Sequence, residues 1–409
     1  MMPAQILGRV TLVTLVALVL APPLSPPFYR DKTNLLVYLD SEGKEHPVKT
    51  PAEWEQRREH ILLGMQLVMG PVPEHWRNLP LEPQVREEVE TPRYVRKKVS
   101  FRAEPEDRVT AYLLVPKERK EQREQREQID SNAPEGPREP KGKFPAVLCL
   151  HQTTDIGKDE PAGFGSNPDL RYAVELAERG YVTLAPDYWT FGEYRGKKYD
   201  PYDHGYVSGT MKGIWNHIRS VDYLSSLREV DAGRIGCIGH SLGGHNTLWL
   251  GAFEPRVKAM VSSCGFCTLA AYAASRYGGG DLKNYAQRRY LPRVAEVYGN
   301  DPKKMPWEFT EVLGALAPRP VFVNAPLKDE NFVVEGVREC IRAALPVYQL
   351  YGAKDSLKAV YPDAGHAFSP EVRRQAYEFL DRALGRTGGG GEEAAAGKGE
   401  AETTGDAKE

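Results

Sequence analysis

The sequence predicts an α/β protein with an eight-stranded, mostly parallel sheet and helices on both faces. Three observations lead there. From residue 144 to 385, apolar segments of strand length alternate with segments of helical periodicity, the pattern that builds parallel sheets. The strand segments, such as FPAVLCLH (144–151), are apolar without alternation, as expected of strands covered on both sides. The third observation is IGCIGHSLGG (235–244), an apolar run that stops at Gly239 and sets a serine among three glycines before the next helical segment.

Composition narrows the class before any motif is weighed. Of 409 residues, 41% are apolar and 27% charged, which excludes wholesale disorder. A net charge of −2 gives no basis for nucleic-acid binding, which wants a basic surface. Five cysteines (Cys149, Cys237, Cys264, Cys267, Cys340) do not make a disulfide framework. The Cys264–Cys267 spacing resembles a redox motif or half a metal site. Without a second pair or a histidine cluster, both are expected to be buried thiols.

Residues 1–25 read as a signal peptide or N-terminal anchor. Arg9 is their only charge, and the apolar stretch from Val10 to Ala21 is 12 residues long, short for a bilayer span and suited to a secretory signal. Prolines after Ala21 and Ser25 make a poor cleavage site, so an uncleaved membrane anchor stays open. The chain is expected to be exported, to the periplasm or the exterior.

The extension over residues 26–93 contains WEQRREHILLGMQLVMG, where Trp54, Ile61, Leu62, Met65, Val68 and Met69 recur at spacings of three and four. That predicts an amphipathic helix opened by Thr50-Pro51, closed by Gly70-Pro71 and packed on the main domain. The main domain spans residues 94–385. It opens with the alternating stretches YVRKKVSF (94–101) and RVTAYLLVP (108–116), an antiparallel pair. Residues 117–143, nearly devoid of apolar groups, are a charged surface insertion that cannot offset its ordering entropy. Strands follow at 144–151, 181–186, 234–239, 257–263, 319–325 and 357–362. Helices are expected at 172–179 with Gly180 as C-cap, at 213–227, 242–252 and 334–344, and from Ser369-Pro370 to about 384. Residues 386–409 are a low-complexity, disordered tail.

Gly239-His240-Ser241-Leu242-Gly243 fits G-x-S-x-G in the setting that gives the motif meaning, a strand before and a helix after. So tight a turn strains the serine and leaves no room for side chains beside it. It lifts the hydroxyl to the sheet edge over a helix N-terminus. A serine hydroxyl needs a base, and the base needs an orienting acid. His366, in YPDAGHAFSP, is the histidine just past the last strand. His46, His60 and His75 fall in the extension, and His204 and His217 precede the serine. His240 and His245 flank it and are expected to pack or bond locally. For the acid, RPVFVNA runs into PLKDENF, which offers Asp329, with Glu330 as the alternative and Asp355 and Asp363 as weaker candidates. The oxyanion needs two backbone donors. Leu242 supplies one, and the loop His151-Gln152-Thr153 the other, with Thr153 preferred to Gln152. Tyr188, Trp189, Phe191 and Tyr194 follow the fourth strand. With Gln152 and His240, Tyr188 and Trp189 are candidate pocket residues.

On RIGCIGHSLGGH, APDYWTFGEY, APRPVFVNAPLKDENF and DAGHAF, the chain over about residues 94–385 resembles the α/β-hydrolase superfamily, in its dienelactone hydrolase and acetyl xylan esterase-like branch. Dienelactone hydrolases carry cysteine as nucleophile, so an ester-cleaving relative is the closer match. The resemblance implies an α/β-hydrolase fold and a serine carboxylic-ester hydrolase. It further implies an acetyl xylan esterase-like deacetylase of carbohydrate esters, with small-molecule or polysaccharide esters as substrates and no cofactor. Nothing in the residues calls for a metal. A glucuronoyl esterase is the near alternative, although G-H-S-L-G lacks the cysteine before the serine and the downstream lysine associated with that family. A prolyl oligopeptidase-type peptidase is another, lacking here a region of propeller size. An inactive hydrolase-fold binding module is the non-enzyme alternative.

Overall fold

In the computed structural model residues 26–117 and 144–386 are described. The expected export segment, nearly all of the charged insertion and the tail lie outside the described residues. Two short antiparallel strands, β1 (Val37–Leu39) and β2 (Glu45–Pro47), lead into α1 (Pro51–Met69). Thr50 caps α1 reciprocally with Glu53: Thr50 Oγ1 accepts from Glu53 N–H at 3.3 Å, and Glu53 Oε2 accepts from Thr50 N–H at 2.9 Å. The helix buries Trp54, Ile61, Met65, Val68 and Met69. It also buries Arg57, whose Nη2 donates to Glu311 Oε1 at 2.5 Å. Arg58 donates to the carbonyls of Ala252 and Ala315. The extension is thus fastened to the main domain by packing and by a buried ion pair, which is costly to break because one charge would be left unpaired.

The main sheet has nine strands: β3 (Gln84–Glu90), β4 (Tyr94–Glu104), β5 (Asp107–Pro116), β6 (Phe144–Leu150), β7 (Val182–Pro186), β8 (Val230–His240), β9 (Val257–Ser263), β10 (Val321–Asn324) and β11 (Leu357–Val360). Their spatial order is β11-β10-β9-β8-β6-β7-β5-β4-β3, parallel from β11 to β7 and antiparallel beyond. The strand beyond the expected eight is β3. QVREEVE hides as a strand because it is an exposed edge whose charges face a basic neighbour. Lys97 pairs with Glu88 at 3.2 Å and Arg96 with Glu87 at 3.8 Å. Charged edges of this kind resist pairing with other chains.

The helices are α2 (Tyr172–Arg179), α3 (Gly209–Ser226), α4 (Leu242–Phe253), α5 (Leu269–Ala274), α6 (Arg293–Glu296), α7 (Phe309–Ala315), α8 (Val334–Leu350) and α9 (Pro370–Ala383). Successive strand residues serve opposite faces. Ala146, Leu148 and Leu150 join the core under α3, α4, α7 and α8, while Val147 and Cys149 join the one under α2 and α9. Gly180 ends α2 at φ 101°, the left-handed cap. Two helices exceed their expected ends. Ser208 caps α3 four residues earlier, its Oγ accepting from Met211 N–H at 2.9 Å. Helix α8 runs through Pro346 to Leu350, although proline normally ends a helix.

β6 sits between β7 and β8, so the chain leaves β6 toward one side and returns on the other. The crevice above that reversal, at the C-terminal strand ends, is where open α/β sheets bind ligands.

Candidate active site

Ser241 follows β8 with φ 54° and ψ −117°, a conformation that costs an L-residue about 1–3 kcal/mol. The turn is held by Ser241 N–H donating to the Ser263 carbonyl at 2.8 Å. Two glycines make it possible. A Cβ on Gly239 would stand 2.2 Å from the Gly243 carbonyl oxygen, and one on Gly243 would stand 2.0 Å from that of Leu150. Helix α4 and strands β6 and β8 therefore meet backbone to backbone beneath the serine. Leu242, first in α4, has an N–H without an intrahelical acceptor.

The loop after β10 carries Asp329 to His366. Leu327 and Lys328 N–H donate to the carbonyls of Pro362 and Ala364, tying that loop to the one holding His366. His366 Nδ1 lies 2.9 Å from Asp329 Oδ2 and 3.0 Å from Oδ1. Oδ1 also accepts from the amides of Asn331 at 2.8 Å and Phe332 at 3.2 Å. Glu330 is not brought in: its side chain is 70% exposed, against 1% for Asp329, and turns to Arg276. Burial by itself would raise the Asp329 carboxyl. The His366 hydrogen bond and charge and the two amides outweigh it and hold the group below 3.8. With Nδ1 on the carboxylate, the Nε2 of His366 has no hydrogen-bond partner among the described residues.

Four further imidazoles are buried. His240 Nδ1 meets Ser263 Oγ at 3.0 Å, and its ring is 4.8 Å from that of His366. His245 Nδ1 donates to the Gly265 carbonyl at 3.0 Å, leaving Nε2 as an acceptor. His151 stacks on Tyr188 at 3.7 Å, and His217 meets Tyr188 edge-on. Burial lowers all four, to about 4 for His151 and His245 and about 3 for His217 and His240, where the charge of a neighbouring histidine adds to it. Unfolded, these rings take up protons near 6.5. Groups depressed in the folded state contribute stability that is full above pH 6.5 and lost as the pH falls toward 4. The thermal midpoint is therefore expected to fall steadily through that window. His217→Phe, which removes a ring with neither nitrogen partnered among the described residues, should make the fall shallower. A midpoint constant from pH 6.5 to 4 would contradict this.

A cavity of about 160 Å³ opens at Ser241, with Leu242, Thr153 and His245 in its wall. Thr153 Oγ1 is 3.0 Å from Tyr290 Oη, which joins the loop after β6 to the segment between α5 and α6. The expected pocket residues lie elsewhere. Gln152 turns its amide to Glu160 Oε1 at 3.0 Å, and His240 is buried behind His366. Tyr188 donates to the His151 carbonyl and Trp189 Nε1 to that of Tyr199, both buried. Tyr194 donates to Asp107, and Phe191 packs against Tyr188. The rings that do line the cavity are Trp249, Tyr272, Tyr277, Tyr285, Tyr290 and Phe332. Most come from residues 272–290, which run from the end of α5 into a loop rich in tyrosine and arginine with no helical or strand period. Its position after a parallel strand is the available signal, since such loops form the site in this architecture.

Cys264, Asp329 and His366 place one donor atom each within 4.8 Å of one another. The set is ill suited to a metal. His366 Nδ1 is committed to Asp329, and burial pushes the Cys264 thiol well up, whereas the thiolate is the ligand form. Cys267 is likewise buried, free and raised by burial.

The sheet order, the strained serine between β8 and α4 and the carboxylate–imidazole pair define the protein as a member of the α/β-hydrolase superfamily. Residues 135–352, more than half of the chain, match the family described as "Glucuronyl esterase, fungi". The chain belongs to that family and is a serine carboxylic ester hydrolase. The matched stretch contains Ser241 and Asp329 and stops before His366. YtaP of Bacillus subtilis (strain 168), described as a hydrolase, is 29% identical over 258 residues, covering 61% of this chain and 81% of that one. 4-O-methyl-glucuronoyl methylesterase 1 of Sodiomyces alcalophilus is 24% identical over 210 residues, covering 48% of this chain and 42% of that one. Among solved structures, a glucuronoyl esterase from Solibacter usitatus superposes with a TM-score of 0.63 at 18% identity, covering 88% of this chain and 98% of the other. Among the described residues no helix is long and apolar enough to cross a membrane.

Proposed function

We propose that the protein is an exported carbohydrate esterase acting by acyl transfer through Ser241, with His366 as base and Asp329 as the carboxylate that orients it. The observation that carries the reading is the Asp329–His366 pair, whose imidazole lies 4.8 Å from the ring of His240, the residue before the strained Ser241. His366 Nε2 takes the Ser241 proton as Oγ attacks the ester carbonyl. The Leu242 and Thr153 amides hold the oxyanion. The alcohol leaves with the proton from His366, and water, activated by the same ring, releases the acid and restores Ser241.

Within that class, esters of a uronic acid are the better-supported substrate. Family membership favours them, and so does the cavity. Its aromatic rings offer faces to a sugar, and Asn284, Gln287 and Thr210 offer polar groups to its hydroxyls. Deacetylation of xylan is the second reading. It is favoured by His240 before the nucleophile, in place of the family's cysteine, and by the missing downstream lysine. The test compares methyl glucuronate, p-nitrophenyl acetate and acetylated xylan on wild type and Ser241→Ala. Higher kcat/KM on the uronate ester, lost in the variant, is expected. Acetate release from xylan with no turnover of methyl glucuronate would reverse the order of the two readings.

A further inference from the structure

Among the described residues the cavity wall carries one charged side chain, Arg289, and no carboxylate; His245 is held neutral by burial. Arg289 belongs to a basic stretch, residues 276–293, which has five Lys and Arg residues and one acid, Asp281, in a chain of net charge −2. Three of its four basic neighbours have partners. Arg288 pairs with Asp200 at 2.7 Å and Arg276 with Glu330 at 3.5 Å, and Arg293 donates to the Leu67 carbonyl at 2.7 Å. Arg289 donates Nε to the neutral Gln287 Oε1 at 3.1 Å. No carboxylate pairs with it among the described residues.

The residue is also held at a fixed place. Tyr290, next in sequence, reaches Thr153 Oγ1 at 3.0 Å, and its carbonyl accepts from Thr210 N–H at 3.1 Å. The backbone at 289 packs on α3, where a Cβ on Gly209 would stand 2.4 Å from the Arg289 carbonyl oxygen. The backbone that carries this planar, permanently charged fork is therefore anchored beside the loop with the expected oxyanion donor, and the exposed guanidinium stands in the cavity wall. Guanidinium matches carboxylate in a two-bond geometry that ammonium cannot. A cation in the wall of a cleft without carboxylates also concentrates anions there.

We propose that the site selects esters carrying a free carboxylate beside the scissile ester, and that Arg289 is the residue that reads it. The inference rests on the esterase reading above and deepens it: a carbohydrate substrate would be an acidic chain in which a free uronate neighbours the ester.

The test uses two matched pairs of esters. p-Nitrophenyl hydrogen glutarate against p-nitrophenyl valerate puts the carboxylate on the acyl side. 4-Acetoxybenzoate against 4-acetoxybenzamide puts it on the alcohol side. On one side the anionic member should be preferred about five- to tenfold in kcat/KM. The preference should shrink with added salt, vanish in Arg289→Gln and survive in part in Arg289→Lys. The responding pair tells which side of the ester faces Arg289. A wild-type ratio near one, or a ratio unmoved by salt and by Arg289→Gln, overturns the proposal and leaves the esterase reading intact. Absence of Ser241-dependent turnover on all four esters overturns the esterase reading instead. Calorimetric titration of Ser241→Ala with glutarate, with and without Arg289→Gln, then decides on Arg289: weaker binding in the double variant is expected, and equal binding overturns the proposal.

Discussion

Ser241→Ala lowers kcat for ester hydrolysis by on the order of 10⁴-fold or more and leaves the fold as stable as before. The size follows from the mechanism. Without Oγ no acyl-enzyme forms, and the remaining rate is what the oxyanion donors and binding give to attack by water. The stability half follows from the backbone. Ser241 sits at φ 54°, ψ −117° and makes no side-chain cap bond to α4, so its side chain contributes nothing that alanine loses. Ser241→Gly is the sharper variant, because glycine adopts this conformation freely. It should be as inactive as the alanine variant yet melt about 1–2 °C higher, for roughly 1 kcal/mol of released strain. Residual turnover near wild type in either variant would remove Ser241 from the chemistry. A lower melting point for Ser241→Gly would remove the strain argument.

Asp329→Asn should cost on the order of 10⁴-fold in kcat with little change in KM. The amide cannot hold His366 as the tautomer with its proton on Nδ1 and its lone pair toward Ser241, nor balance the imidazolium formed during attack. Glu330→Gln, one residue on and turned to solvent, is the control and should change kcat by less than about twofold. The linkage has a definite sign. A carboxyl held below its ordinary 3.8 contributes stability that is present above that pH and lost as the pH falls below it. Wild type should therefore be the more stable of the two above pH 3.8, and the gap should close below. If Glu330→Gln were the damaging change, the acid would have to be reassigned.

Much of this was legible in the sequence because chemistry and geometry constrain it locally. The elbow at Ser241 needs glycines at fixed offsets, and His366 follows the last strand by chain order. Choosing between Asp329 and Glu330 took a distance, since adjacent residues in a loop face different ways and no periodicity tells which. The ninth strand stayed hidden because QVREEVE is stabilised by cross-strand charges rather than by an apolar face. The pocket was misplaced for a related reason. Tyr188 and Trp189 follow a strand on the correct edge, but the loop folds inward, and Tyr188 covers His151. Much of the cavity wall comes instead from the end of α5 and the loop after it, which carries no period from which to place it, and the tyrosines and Arg289 reach the cavity only once that segment is folded beside α4.

The measurement that bears most directly on the central claim is mass spectrometry of the protein after reaction with a fluorophosphonate, for wild type, Asp329→Asn and Ser241→Ala. One adduct is expected in wild type, on the peptide containing Ser241. It should form far more slowly in Asp329→Asn and not at all in Ser241→Ala. Labelling at another residue, or equal labelling rates in wild type and Asp329→Asn, would contradict the assignment of Ser241, His366 and Asp329 as one catalytic unit.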